Sequence, residues 1–281
     1  MNFTTTETST NSTVHSIGRM DFVVTCVHSM NFFFGLPTHS YIIWLIITGA
    51  GSGVASEFFI LNLSVCEIGN SLNSLVSALT VYFSSLSFLM LFLHGLILTG
   101  RPLFQCLICV ERYLAVAHPV TFLKFKPLRY RAICCAVVWI IILASCFYSL
   151  FITISQHNHV KVWFFSLQFL LLFSIQLFCL VAVLRALKHS GPGERGRERE
   201  EENHIKRRAF YLISIATVSM TFIYVPYSTT GFYIIVTQHN NPAYWTPGFV
   251  CYMLAGFVQP VLYLHRTGKL PVFLMRSEFV T

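Results

Sequence analysis

Two ionisable residues lie where water is scarce. Glu67 and Arg101 each sit deep inside a long apolar run. A charge held there without a partner costs at least about 2.5 kcal/mol. The chemistry they offer is electrostatic: an ion pair across two neighbouring helices, with His39, Asn70, Asn73 and Gln259 as candidate hydrogen-bonding neighbours. A second group, Glu111-Arg112-Tyr113, closes an apolar run, where an arginine can pair with the adjacent glutamate or turn toward an inserted partner. Pro226 and Pro260 stand inside apolar runs, with Tyr224, Gln259 and Tyr263 close by in sequence. Each proline removes one helical hydrogen bond and permits a bend. Nothing points to bond-making catalysis, because no G-x-S-x-G, H-E-x-x-H or P-loop is present. The nine cysteines show no metal-ligand spacing and read as buried small hydrophobes; Cys26 and Cys251, near the same ends of their helices, are the one pair that a bond could join. No cofactor and no metal is expected, and the chain does not read as an enzyme.

The elements that must position these groups are membrane helices. Of 281 residues, 55% are hydrophobic and 11% charged, against about 25% charged in an ordinary soluble domain. A spanning helix needs roughly 20 apolar residues. Seven runs qualify, over about 22–47, 58–83, 88–117, 132–154, 162–187, 209–236 and 244–264. The fold class read from this is all-α: an integral membrane protein with a seven-transmembrane helix bundle. Its parts are an N-terminal tail (1–21), the bundle (22–264) with a long third inner loop at about 188–206, and a short tail (265–281). That loop, with GPGERGREREEEN in its middle, is expected to be disordered or to carry a helix into water.

Charge sets the direction of insertion. Lys124, Lys126, Arg129 and Arg131 follow the third run, eight cations from Arg185 to Arg208 lie between the fifth and sixth, and Arg266, Lys269 and Arg276 follow the seventh. The opposite side has only Arg19 and Lys161. Positive charge stays in the cytoplasm, so the N-terminus is expected outside and the C-terminus inside. The net charge of +8 is then a topology signal, and no nucleic-acid partner is expected. Residues 1–20 hold no apolar core of a signal peptide, so the first span is expected to act as its own insertion signal. Two N-terminal sequons, at Asn2 and Asn11, are candidate glycosylation sites on the outer side. Depth can be estimated too. Glu67 lies ten residues beyond Glu57, about 15 Å in, and Arg101 lies eleven residues above Arg112, about 16 Å in. The depths agree, and eleven residues is close to three turns, so Arg101 and Arg112 share a face.

The segment Cys109-Val110-Glu111-Arg112-Tyr113 with Ala117-His118-Pro119 resembles the E/D-R-Y signature and following loop of rhodopsin-like G-protein-coupled receptors. Trp139 falls where that family keeps a fourth-helix tryptophan. Tyr224-Val225-Pro226-Tyr227 resembles the sixth-helix proline motif, with Tyr224 for the usual Trp or Phe. Gln259-Pro260-Val261-Leu262-Tyr263 resembles N-P-x-x-Y, with Gln for Asn. Asn62-Leu63-Ser64-Val65-Cys66-Glu67 resembles N-L-A-x-x-D, with Glu for Asp, and His39 stands for a first-helix Asn. The resemblance covers nearly the whole chain. It implies a plasma-membrane receptor coupling to a heterotrimeric G protein, through Arg112, the loop at Pro119, and the basic ends of the fifth and sixth helices. It also implies a switch in which the sixth helix swings about Pro226 and Tyr263 turns inward. The family commonly holds a sodium ion beside the second-helix carboxylate. Here the Arg101 guanidinium is expected to fill that place.

The ligand site is expected in the outer halves of the helices, with His94, Trp163, Gln168, Tyr227 and Tyr252 as candidate lining residues. No Asp or Glu lies in the outer half of helices two to seven. A cationic amine is therefore disfavoured, and a neutral, lipid-like or weakly acidic small molecule fits better. Two features of the family are absent: Ser87 stands near the usual helix-three cysteine, and the fifth helix lacks its proline. The altered switch residues keep a second reading open, a receptor-like binding or partner module that does not couple. A transporter or proton channel is the third; it calls for inverted repeats, which are not visible. Leu270 to Leu274 are expected to form a brief surface helix against membrane lipids.

Overall fold

The computed structural model describes residues 22–49, 57–80, 82–125, 127–188, 196–237 and 242–267. The sequons at Asn2 and Asn11, the start of the third inner loop and the tail after Thr267 lie outside the described residues. Among the described residues there are seven long helices: Phe22–Ile47, Phe58–Leu79, Ser87–Ala117, Leu128–Ile154, Asn158–Lys188, Gly196–Thr237, and a seventh in two pieces, Thr246–Ala255 and Val258–Arg266. They are numbered first to seventh below. A short loop helix, Pro119–Phe125, joins the third to the fourth. Pro119 opens it at a position where its missing N–H has no helical partner to lose. The sixth helix begins at Gly196, so the second half of the charged loop is helical and lengthens that helix. No strand occurs among the described residues.

Among the described residues, five helices (the first, third, fourth, fifth and seventh) are long and apolar enough by composition alone to cross a membrane. The second falls short because one face is polar: Ser64, Glu67, Asn70, Ser71, Asn73 and Ser74 are all buried. Its other face, with Val65, Leu72 and Leu75, is exposed and apolar. In a bilayer that is the required pattern, since polar groups must be satisfied inside the bundle while lipid meets hydrocarbon.

The third helix is the central post. Its 31 residues reach about 46 Å at 1.5 Å per residue, enough to pass obliquely through the bundle. It packs on the second, fourth, fifth and sixth helices. One apolar layer joins Leu63, Phe104 and Ile142 of the second, third and fourth helices. Another joins Phe169, Met220, Ile223 and Met253 of the fifth, sixth and seventh around Ile97. Near Arg112, a third layer gathers Cys109, Val183, Ile213 and Ala216.

Helices approach closely where a side chain is missing. A Cβ on Gly95 would stand 2.5 Å from the Cys146 Cα, so the third and fourth helices touch backbone to backbone there. Small residues at such crossings are what lets helices associate in lipid. In the first helix, residues Asn31–Gly35 form a π turn. It places the Asn31 side chain to donate to the Ser74 hydroxyl at 2.9 Å, tying the first helix to the polar face of the second.

All nine cysteines are free, Cys26 and Cys251 included. Cys134 corrects the expectation of uniform burial: it is exposed on the lipid side of the fourth helix, where a thiol is apolar enough to remain.

The crossing at Gly95 generates a stability prediction. Gly95→Ala forces the two backbones apart and should cost about 1–3 kcal/mol, read as a lower thermal unfolding midpoint of the detergent-solubilised protein. Gly69→Ala is the control. Its added Cβ meets only the end of the Leu96 side chain, and it should change the midpoint little.

Candidate functional site

The centre of the bundle is built around Arg101, which is 1% exposed. Its Nε donates to Oε1 of Glu67, and its Nη2 donates to Oε2 at 2.6 Å. The result is the two-pronged arginine–carboxylate geometry that gives the strongest hydrogen bonds of this kind. Asn70 donates to the same Oε2 at 3.3 Å. The third prong, Nη1, donates to the backbone carbonyl of Tyr252 in the seventh helix. The guanidinium also lies 4.0 Å from the centre of the Tyr252 ring, and the Tyr252 hydroxyl donates to the Ile97 carbonyl at 2.8 Å. One cation thus ties the second, third and seventh helices together.

Local backbone explains why the seventh helix can take part. Pro260 has no N–H to give the Gly256 carbonyl, and the helix breaks at Gly256 and Phe257. At the break the Gly256 N–H bonds to Met253 at 3.1 Å and not to Tyr252, its usual partner four residues back. The Tyr252 carbonyl is thereby turned over to Arg101. Gly256 also makes the room: a Cβ there would stand 2.8 Å from Arg101 Nη2.

A sodium ion does not fit this site. Both oxygens of Glu67 are engaged by Arg101, and a second cation would stand against a fixed positive charge. His39 is buried beside the pair. Asn73 is buried with its Oδ1 outside any hydrogen bond among the described residues. Gln259 lies elsewhere, in the wall of the cavity next to Arg112.

At the Arg112 end, the sequence expectation of a Glu111–Arg112 pair is incomplete. Glu111 is paired with Arg131 at the foot of the fourth helix. Arg112 lines a cavity of about 30 Å³ with Ile60, Ile213, Gln259 and Tyr263, room for about one or two waters. Tyr113 shares a hydrogen bond with His118 at 3.1 Å and packs its ring against Phe178. Tyr263 is buried, and its hydroxyl donates to Glu57 at 2.6 Å at the start of the second helix. Pro119 is exposed at the head of the loop helix. Pro226 lies within the sixth helix; the Tyr224 side chain lies outside the described residues. Trp139 donates to Asn62 at 2.9 Å.

The candidate ligand residues divide. Tyr252 belongs to the Arg101 site and not to an outer pocket, because its ring and hydroxyl are both used there. Trp163 is 45% exposed, its ring edge-on to Phe232 at 5.4 Å. Tyr227 is half-buried against Trp245, with ring centres 4.8 Å apart. Gln168 is half-buried. His94 is half-buried within electrostatic reach of Lys161, whose ammonium donates to Thr153 at 3.1 Å.

Sequence reasoning missed several of these groups. Arg131 reads in the sequence as a loop charge, although its place three residues into the fourth helix is the signal that turns it toward the third. Glu57 served only as a depth marker. Pro102 stands inside the third helix directly after Arg101 and carries no motif that marks it in the sequence. Gln105 and Gln176, 1% and 0% exposed, carry amides with no protein partner among the described residues, and buried polar groups of that kind are left to water.

The Arg101 geometry predicts strong non-additivity. Arg101→Met or Glu67→Leu alone strands a buried charge and should cost about 3–5 kcal/mol. Together they should cost less than either one, measured by thermal unfolding in detergent. If the double variant loses the sum of the two single losses, the residues are not a pair.

Residues 39–263 match the family described as 7 transmembrane receptor (rhodopsin family). The chain is 27% identical over 228 residues to the chemokine XC receptor 1 of Mus musculus, covering 73% of this chain and 65% of that one. It is 24% identical over 226 residues to the uracil nucleotide/cysteinyl leukotriene receptor of Rattus norvegicus, covering 72% and 64%. It is 26% identical over 185 residues to the human G-protein coupled receptor 35, covering 58% and 56%. The chain thus spans just under two thirds of the length of the first two relatives. With seven helices around a polar centre, and a match over most of its length, the chain belongs to the rhodopsin family of seven-transmembrane receptors, multi-pass proteins of the plasma membrane that are not enzymes.

Proposed function

We propose that this receptor passes the binding of an extracellular ligand to a heterotrimeric G protein, with the Arg112 end in the cytoplasm. The observation that carries the reading is the position of Arg112. It lines a small cavity between the second, third, sixth and seventh helices, where an outward swing of the sixth helix about Pro226 opens a cleft for a partner segment. The basic clusters at that end agree with a cytoplasmic location. Tyr263, held by Glu57 in this arrangement, is the group to be released when the seventh helix shifts. One observation favours the non-coupling alternative: Arg101 cross-ties the second, third and seventh helices, which limits how far the seventh can shift against the other two. Rearrangement is therefore confined to the sixth helix and to the segment of the seventh beyond its break at Gly256.

The ligand is proposed to be a small molecule with a weak acid group. Lys161 and His94 are near one another toward the end opposite Arg112, and Asp and Glu are absent from the described outer halves of the second to seventh helices. A charged amine would find no counter-ion there. The relative named for uracil nucleotides fits the same expectation, since nucleotides are anions.

Two experiments test these readings. Subunit-dissociation sensors in cells, read across a panel of G proteins, should lose basal and ligand-stimulated signal in Arg112→Ala; a signal that never depends on Arg112 favours the non-coupling alternative. In a screen of acidic, neutral and cationic compounds, acidic hits should weaken at least about tenfold in Lys161→Gln, equivalent to about 1.4 kcal/mol. Acidic hits indifferent to Lys161, or cationic hits alone, contradict the ligand class.

A further inference from the structure

Two buried amides and a hydroxyl take no part in either the Arg101 site or the contacts at the Arg112 end. Gln105 of the third helix and Gln176 of the fifth are 1% and 0% exposed, and Ser219 of the sixth is 6% exposed. Neither the nitrogen nor the oxygen of either amide, nor the Ser219 hydroxyl, has a hydrogen-bond partner among the described residues. A polar group taken out of water in this way costs stability unless something small and polar reaches it.

The packing brings the three to one level. One apolar layer joins Ile97, Phe169 and Met220, and the next toward Arg112 joins Cys109, Val183 and Ala216. Gln105 falls between Ile97 and Cys109, Gln176 between Phe169 and Val183, and Ser219 between Ala216 and Met220. Their faces agree as well. Gln105 stands one turn above Cys109 on the same side of the third helix. Cys179, one turn from Gln176, is within electrostatic reach of Cys106 and Cys109, so this side of the fifth helix looks at the third. Ser219 stands one turn above Ala216. Cys109 and Ala216 both line the cavity of about 30 Å³ beside Arg112, so the polar level lies one turn above that cavity.

The groups themselves select the ligand. A glutamine amide offers two N–H donors and a carbonyl acceptor, and a serine hydroxyl both donates and accepts. An anion would satisfy only the donors, and a metal cation only the oxygens. Water satisfies both, and a buried water makes about three hydrogen bonds to groups of this kind. We propose that Gln105, Gln176 and Ser219 hold a buried water cluster, continuous with the cavity beside Arg112, that joins the sixth helix to the third and fifth. A link through water can re-form after a small shift without stranding a polar group, unlike the charge pair at Arg101. The joint thus stands where the sixth helix slides against its neighbours. That role rests on the coupling reading above; the water site does not, and the test addresses the water.

The test uses the full chain in nanodiscs and hydroxyl radicals generated from water by X-ray pulses. Such radicals react within a few ångström of their parent water, so a buried side chain is oxidised only where water sits beside it. Met220, next to Ser219, and Cys179, one turn from Gln176, are 0% and 1% exposed and serve as reporters. Both should be oxidised in the native chain. Gln105→Leu/Gln176→Leu replaces the two amides by apolar groups of similar size, and should cut oxidation at Cys179 severalfold without lowering the thermal midpoint. Unoxidised Met220 and Cys179 in the native chain overturn the proposal, and so does oxidation that survives in the double variant. An electron cryomicroscopy map of the native chain gives a second reading that needs no variant. Water density against both amides is expected there, and a direct Gln105–Gln176 hydrogen bond overturns the proposal.

Discussion

A charge carried to the middle of a membrane bundle has to find its counter-charge there, and in this protein that requirement organises the interior. Arg101 cannot reach water from a position 1% exposed. It is held by the Glu67 carboxylate on one side and the Tyr252 carbonyl on the other. Satisfying one guanidinium takes a glutamate long enough to meet it, a glycine that lets it approach the seventh helix, and a break that turns over a backbone carbonyl. The glutamate is on the second helix and the glycine and the break are in the seventh, so with Arg101 on the third a single cation fixes these three helices relative to one another. Attraction in a poorly polarisable interior is strong, but so is the cost of desolvation. Such a pair therefore adds less to net stability than to the specificity of the arrangement.

In the proposed switch the bundle divides into a part that is held and a part that moves. The cross-tie joins the second, third and seventh helices above the break at Gly256. The sixth helix, with Pro226, and the short helix Val258–Arg266 lie outside it. Tyr263 sits on that short helix and is held by a hydrogen bond to Glu57, a contact that can exchange without stranding a buried charge pair. The cation beside the second-helix carboxylate is covalently part of the third helix.

Much of this was legible in the amino-acid sequence, and the reasons differ by element. The seven runs and the basic clusters are bulk properties, summed over about 20 residues each, so they survive errors at any one position. The match in depth of Glu67 and Arg101 needed only helical rise, and the cost of a lone buried charge then made them natural partners. What escaped notice depends on side-chain direction. Arg131 looked like one more loop cation, since its inward turn toward Glu111 follows from where the fourth helix begins. Tyr252 reads as a ligand residue in the sequence because a proline eight positions later decides where its carbonyl points. Trp163 and Gln168 are on a nearly all-apolar helix whose sequence carries little information about which face looks inward.

The central claim is that Arg101 is the fixed cation of the core, and a high-resolution electron cryomicroscopy map of the full chain in lipid nanodiscs tests it most directly. The account predicts guanidinium density bridging the Glu67 carboxylate and the Tyr252 carbonyl, with no ion between them. An Arg101 side chain turned away from Glu67, or a sodium ion coordinated by that carboxylate, would contradict it.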